Sequence, residues 1–141
     1  MPVAAAITIL MVALSGFVHY EALRLCNAIL PRLNRVPGHA KALIAVGAAF
    51  CSHLMQIALF AAAYWVLHGT AYGSLRGNFH DVAAGFLYFS AETYTSLGFG
   101  DVYPVGQIRL IAGIEALTGL LMISWSASFT YLEMSRHWRE R

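Results

Sequence analysis

Three long apolar stretches organise the chain: Pro2 to Val18, whose helical pattern continues to Leu30; Ala42 to Leu67; and Ile108 to Leu132. A helix crosses the ~30 Å hydrocarbon core of a bilayer with about 20 apolar residues, so each stretch is long enough. Inside a bilayer the backbone has no water to bond, which leaves helices and closed barrels as the only spanning structures. Runs of this length are helical. Hydrophobic residues make up 59% of the 141 positions and charged residues 11%, against ~25% charged in ordinary soluble proteins. The sequence predicts an all-α membrane protein of one domain, held in a lipid bilayer by three transmembrane helices.

Pro31 stops the first helix, because a proline inside a helix removes a hydrogen bond and clashes with the preceding turn. A cleaved signal peptide needs a basic start, and Met1 to Leu14 contains no Lys or Arg. Residues 1–30 are therefore expected to be a retained span, with His19, Glu21 and Arg24 near one end, in reach of water or lipid head groups. The loop 31–41 carries Arg32, Arg35 and Lys41, and the tail 135–141 carries Arg136, Arg139 and Arg141. Basic residues collect on the cytoplasmic side of membranes, so both segments are placed in the cytoplasm and the N-terminus outside. Tyr64, Trp65 and His68 suit the outer interface, and Gly69 to His80 follows as an extracellular loop. Cys26 and Cys51 lie in apolar segments without metal-ligand spacing and are expected to be packing residues. No basic run with interleaved aromatics points to nucleic acid. No Ser-His-Asp set, phosphate loop or paired-His motif points to an enzyme.

Asp81 is placed to cap a helix over residues 82–95. That helix is too short to span the membrane and fits a re-entrant segment entering from outside, its C-terminal dipole end favouring a cation near the membrane centre. It leads into Ser96-Leu97-Gly98-Phe99-Gly100-Asp101. A dehydrated cation needs oxygens in place of water, and the densest supply is a run of backbone carbonyls turned one way. Turning successive carbonyls to one side requires left-handed backbone at alternate residues, which glycine tolerates; Gly98 and Gly100 have that spacing. Ser96 adds a hydroxyl at the inner end, Asp101 a carboxylate at the outer mouth, and Leu97 and Phe99 need present only their carbonyls.

From Glu92 to Val105 the chain resembles the filter region of potassium channels, most closely the small proton-gated bacterial ones, which share the Glu92-Thr93 start and the Asp101-x-Tyr103-Pro104-Val105 exit. The resemblance covers a pore domain over residues 42–134: outer helix 42–67, pore helix 82–95, filter 96–100 and inner helix 108–132, with the first span an addition. It implies a homotetramer in a bacterial inner membrane, with K+ held by the carbonyls of Ser96, Leu97, Gly98 and Phe99 and no cofactor beyond the permeant ion. It further implies an aromatic cuff at Tyr88 and Phe89, Glu92 and Thr95 supporting the filter, Asp101 at its mouth, and a proton shared between Glu92 and Asp101. Gly119 falls on the hinge position of the family's inner helix, where a glycine serves bending or close packing. Phe99, Leu97 and Ser96 replace the family's tyrosine, valine and threonine, yet the carbonyl count is unchanged. Potassium conduction is the resulting expectation, with a weakly selective monovalent cation channel and a non-conducting membrane subunit as alternatives.

Two intramembrane groups stand outside that plan. His53 is expected to bond Gln56 or a neighbouring helix, and Glu115 either faces a cavity or pairs with Arg109 or His53.

Overall fold

The computed structural model describes residues 2–138; Arg139, Glu140 and Arg141, part of the basic tail, lie outside the described residues. Helix α1 runs Pro2–Ile29 and ends where Pro31 enforces a 3₁₀ turn, Leu30–Arg32. The chain reverses, and α2 runs Gly38–Leu67. It starts four residues earlier than hydropathy alone suggests. Pro37 sits in extended backbone just before it, its carbonyl accepting from Ala40 and Lys41 N–H at 3.0 and 3.2 Å, so the polar first turn joins the helix. The short helix α3 covers Ala83–Tyr94, and α4 runs Ile108–Trp138, six residues past the apolar stretch, because nothing in Glu133 to Trp138 breaks a helix.

The three long helices are inside out relative to a soluble bundle. The stripe that α1 buries includes Thr8, Ser15 and His19, and α2 buries Ser52 and Gln56, while Ile9, Leu10, Phe17, Leu43, Phe50, Leu54 and Leu121 face outwards. In water that arrangement is unfavourable by about 25 cal/mol per Å² of apolar surface; in lipid it is the stable one, since hydrocarbon solvates the leucines and the polar groups satisfy one another. Helix α1 packs against both α2 and α4. Helix α3 lies against α2 and α4 in an apolar core of the aromatic residues Phe60, Tyr64, Phe86, Phe89 and Tyr94 with Ile108 and Ile111.

The expected extracellular loop before α3 and the Asp101 to Val105 exit after it contribute the two strands of a small antiparallel sheet. Strand β1 (Gly73–Gly77) pairs with β2 (Val102–Gly106), Leu75 opposite Pro104. With two strands only, Pro104 sits at an edge, where its missing N–H leaves no ladder bond unmade. Asn78 N–H to the Asp101 carbonyl at 2.8 Å and Gln107 N–H to the Tyr72 carbonyl at 2.7 Å extend this neck at both ends. The sheet pins together the two flanks of the 78–101 excursion. Asp81 does not cap α3: the residue before the helix is Val82, and the first turn is held by its backbone carbonyl, which accepts from Gly85 at 2.8 Å.

Candidate functional site

Past the last turn of α3, Thr95 closes the helix and Ser96 N–H reaches back to the Thr93 carbonyl at 3.0 Å. From there φ is +58° at Ser96, +53° at Gly98 and +80° at Gly100, with Leu97 and Phe99 on the ordinary side. Left-handed backbone at every second residue is the pattern that turns successive carbonyls the same way. For Ser96, a side-chain-bearing residue, the conformation costs about 1–2 kcal/mol, so neighbouring bonds must hold it. They do: the Glu92 carbonyl accepts from Gly98 N–H at 3.2 Å, and the Glu92 carboxylate accepts from Phe99 N–H at 3.2 Å. Leu97 is 60% exposed and Phe99 67%; within one chain nothing covers either side chain.

The two carboxylates flanking the strand take separate partners. Asp101 accepts from the Tyr88 hydroxyl at 3.0 Å, while buried Glu92 bonds Phe99; no direct hydrogen bond joins them among the described residues. Of the expected aromatic cuff only Tyr88 faces the strand. Phe89 turns into the core, edge-on to Tyr64 at 4.9 Å. The Thr95 hydroxyl is spent on its own helix, donating to the Ala91 carbonyl at 2.7 Å. Burial pushes the Glu92 carboxyl above its ordinary 4.5; the Phe99 N–H opposes this and the Asp101 charge adds to it. A raised carboxyl favours the folded state most below the unfolded value, and that contribution is lost as pH rises through the folded value. Thermal stability should therefore fall as pH rises above 4.5, and Glu92→Gln, which keeps an acceptor for Phe99, should flatten that slope in melting curves.

Glu115 pairs with neither Arg109 nor His53. It is fully buried, whereas Arg109 is exposed on another face of α4. Its carboxyl group receives the Tyr64 hydroxyl from α2 and lies 2.6 Å from the Ser90 hydroxyl of α3, which is also 2.8 Å from the Ile57 carbonyl. One side chain thus joins α3 to α2 and α4. Glu115→Gln retains an acceptor for Tyr64 and a donor for Ser90 and should stay close to wild type; Glu115→Ala leaves both hydroxyls without that partner and should lose about 1–3 kcal/mol, read as a lower melting temperature in detergent.

The remaining assignments move inwards. His53 bonds Tyr94 and Ser126 at 2.9 Å each rather than Gln56. His19 is not solvated at a helix end but fully buried, with Ser52 and Gln56 at 3.2 Å and Ser126 at 3.3 Å; Glu21 and Arg24 do remain outside, paired at 2.6 Å. The sequence signal for His19 was its place in line with Thr8 and Ser15. Gly119 lies against the end of α3: a Cβ there would stand 1.9 Å from the Tyr94 carbonyl oxygen. Helix α4 runs through it unbroken. Cys26 is buried and Cys51 exposed, both free. Among the described residues no group of His, Cys, Asp and Glu is arranged to hold a metal.

The sequence matches the model of a family described as "Ion channel" over residues 60–134, which takes in the end of α2 from Phe60, α3, the strand 96–100 and most of α4 and leaves α1 and the first part of α2 outside. It is also similar to Protein LctB of Geobacillus stearothermophilus, 34% identical over 84 residues, or 55% of this chain and 63% of that protein. The chain thus spans less than two thirds of that relative's length. No solved structure matches it.

Proposed function

Because the chain belongs to this ion-channel family of two-helix pores, we propose that it conducts K+ passively across the membrane through a filter assembled from four copies of Ser96 to Gly100. It is an integral membrane protein with three helices long and apolar enough to span. The observation that carries the proposal is the alternation of left-handed residues at 96, 98 and 100, set at the end of a short helix and held by both carbonyl and carboxylate of Glu92. One strand lines one wall. A ring of oxygens around an ion needs several, and cyclic symmetry about a central axis supplies them. The uncovered Leu97 and Phe99 side chains support this, since a neighbouring copy gives them an apolar contact.

In that assembly the carbonyls of Ser96, Leu97, Gly98 and Phe99 replace the ion's hydration shell, and ions advance by repulsion between adjacent sites. Asp101, fixed by Tyr88, raises the local cation concentration at the mouth. The N-terminus lies outside and the loop with Arg32, Arg35 and Lys41 in the cytoplasm. A weakly selective cation channel is favoured by one feature alone: Phe99 has no hydroxyl with which to tether the filter to its surroundings. Purified protein in liposomes is expected to release trapped K+ and to cross-link as a tetramer. No release with a monomer on cross-linking would instead support a non-conducting membrane subunit.

A further inference from the structure

Helix α1 lies outside the residues that match the ion-channel family, yet it supplies a fully buried histidine to the foot of the pore helix. Five side chains from four helices meet there. Gln56 Nε2 lies 3.2 Å from His19 Nδ1; His19 Nε2 is 3.3 Å from Ser126 Oγ; Ser126 Oγ is 2.9 Å from His53 Nε2; His53 Nδ1 is 2.9 Å from Tyr94 Oη; and the Tyr94 hydroxyl donates to Gln56 Oε1 at 2.8 Å. The contacts close on themselves.

Counting protons fixes the direction of every bond. Gln56 Nε2 also lies 3.3 Å from the Ser52 carbonyl, an acceptor only, so the amide nitrogen must be on that side and Oε1 must face Tyr94. Tyr94 spends its one proton on Gln56 and therefore accepts from His53 Nδ1–H. His53 Nε2 then carries no proton and accepts from Ser126, whose proton is thereby used. Ser126 must accept from His19 Nε2–H, which leaves His19 Nδ1 to accept from Gln56, with the Ser52 hydroxyl 3.2 Å away. Each member donates once and accepts once around the ring. The two imidazoles, 5.1 Å apart, are held as opposite tautomers, both neutral.

We infer that this ring makes α1 a working part of the channel: His19 and His53 position the base of the pore helix, and a proton added to either imidazole opens the ring and lowers conduction. The path to the filter is short. Tyr94 is the last residue of α3, two residues before Ser96, and its carbonyl abuts Gly119 of α4. A proton on His19 Nδ1 would face the Gln56 amide hydrogens, and one on His53 Nε2 would face the Ser126 hydroxyl hydrogen, in each case a donor against a donor. The titratable groups facing the ring are few: the histidines themselves from α1 and α2 and Tyr94 from α3, with Glu115 of α4 acting on Tyr94 from beyond it. Helix α4 otherwise presents Ser126 and, against His19 at 5.3 Å, Trp125.

The inference rests on the channel reading for its flux assay but not for its spectroscopic one. The full chain, in vesicles with isotope-labelled histidine, is expected to show His53 as the Nδ1–H tautomer and His19 as the Nε2–H tautomer near pH 8, assigned with His19→Gln and His53→Gln. K+ flux should fall about tenfold on acidification from about pH 8 to about pH 3, the effect of leaving a buried donor without its acceptor. Each glutamine variant, whose amide keeps a donor and an acceptor in the ring, should conduct like wild type near pH 8 and retain only the acid response of the remaining histidine, and the double variant His19→Gln with His53→Gln should lose it altogether. His19→Leu should lose about tenfold in flux at pH 8. A double variant that keeps the wild-type acid response, or His53 found as the Nε2–H tautomer, would overturn the inference, as would wild-type flux in His19→Leu. Should His19→Leu fail to assemble, the glutamine variants decide. Absence of wild-type flux at every pH counts against the channel reading, and the tautomers then decide the ring alone.

Discussion

Gly98→Ala is expected to abolish K+ flux through the reconstituted protein without unfolding it. Space is not the reason, for a Cβ at Gly98 meets nothing within 4 Å. The reason is conformational: Gly98 has φ +53°, and a side-chain-bearing residue there costs about 1–2 kcal/mol. Ser96, one carbonyl pair away, already carries such a cost. The cheapest relief is to rotate the peptide so that the carbonyl leaves the row, and in a fourfold filter that happens at the same level in every copy. Each 1.4 kcal/mol corresponds to about tenfold in the population of the conducting form, so four copies put flux below a practical detection limit. Size-exclusion profiles and helical content should be unchanged. Wild-type flux in this variant would mean that ions do not pass along these carbonyls.

Gly119→Ala is expected to act through packing and to be the more damaging change for the fold. Its Cβ would lie 1.9 Å from the Tyr94 carbonyl oxygen and 2.8 Å from the carbonyl carbon. Both are backbone atoms at the end of α3, so no rotamer change relieves the clash and α3 and α4 must separate. Overpacking of this kind costs about 1–3 kcal/mol per chain. It also displaces Tyr94, which bonds Gln56 and His53. The expected result is a lower melting temperature and reduced K+ flux together. A glycine serving only as a hinge gives a different outcome, an unchanged melting temperature with altered opening, so one thermal melt separates the two roles.

The long helices and the left-handed backbone at Gly98 and Gly100 were legible because their signals are local. Apolar runs longer than a bilayer is thick announce spanning helices wherever they pack, and the glycine spacing at 98 and 100 demands a backbone conformation that depends on few neighbours. The rest of the site depends on which faces meet across the chain. His19 and Ser126 stand 107 positions apart, and only the alignment of His19 with Thr8 and Ser15 distinguishes a buried imidazole from one reaching head groups. In a membrane helix the lipid face is as apolar as the core, so hydrophobic periodicity does not mark the inner side; the polar stripe of Thr8, Ser15 and His19 does. Glu115 was visible as an anomaly, but its partners Tyr64 and Ser90 carry no charge and so left no electrostatic signal. The β1–β2 neck was hidden for another reason. Gly73-Ser74-Leu75-Arg76-Gly77 and Val102-Tyr103-Pro104-Val105-Gly106 contain the residues that usually mark loops, and their pairing follows from the need to close the filter excursion at its base.

The separate partners of Glu92 and Asp101 along the strand 96–100 share one cause. Glu92 lies one helical turn beyond Tyr88 on α3 and faces back along the strand, so it meets the Phe99 N–H, while Tyr88 is left to hold Asp101. Each carboxylate thereby braces a different point of the strand. Tyr88→Phe should free Asp101 with a small effect, about 0.5–1.5 kcal/mol for the lost hydrogen bond, visible as lower flux at low K+.

The most direct test of the account is the reversal potential of single channels in a planar bilayer with K+ on one side and Na+ at equal concentration on the other. A carbonyl filter with its full set of oxygens predicts a potential displaced towards K+ by more than about 60 mV, the value for a tenfold preference between monovalent ions. A reversal potential near zero would contradict potassium selectivity and leave Leu97 and the untethered Phe99 lining a pore that passes either ion.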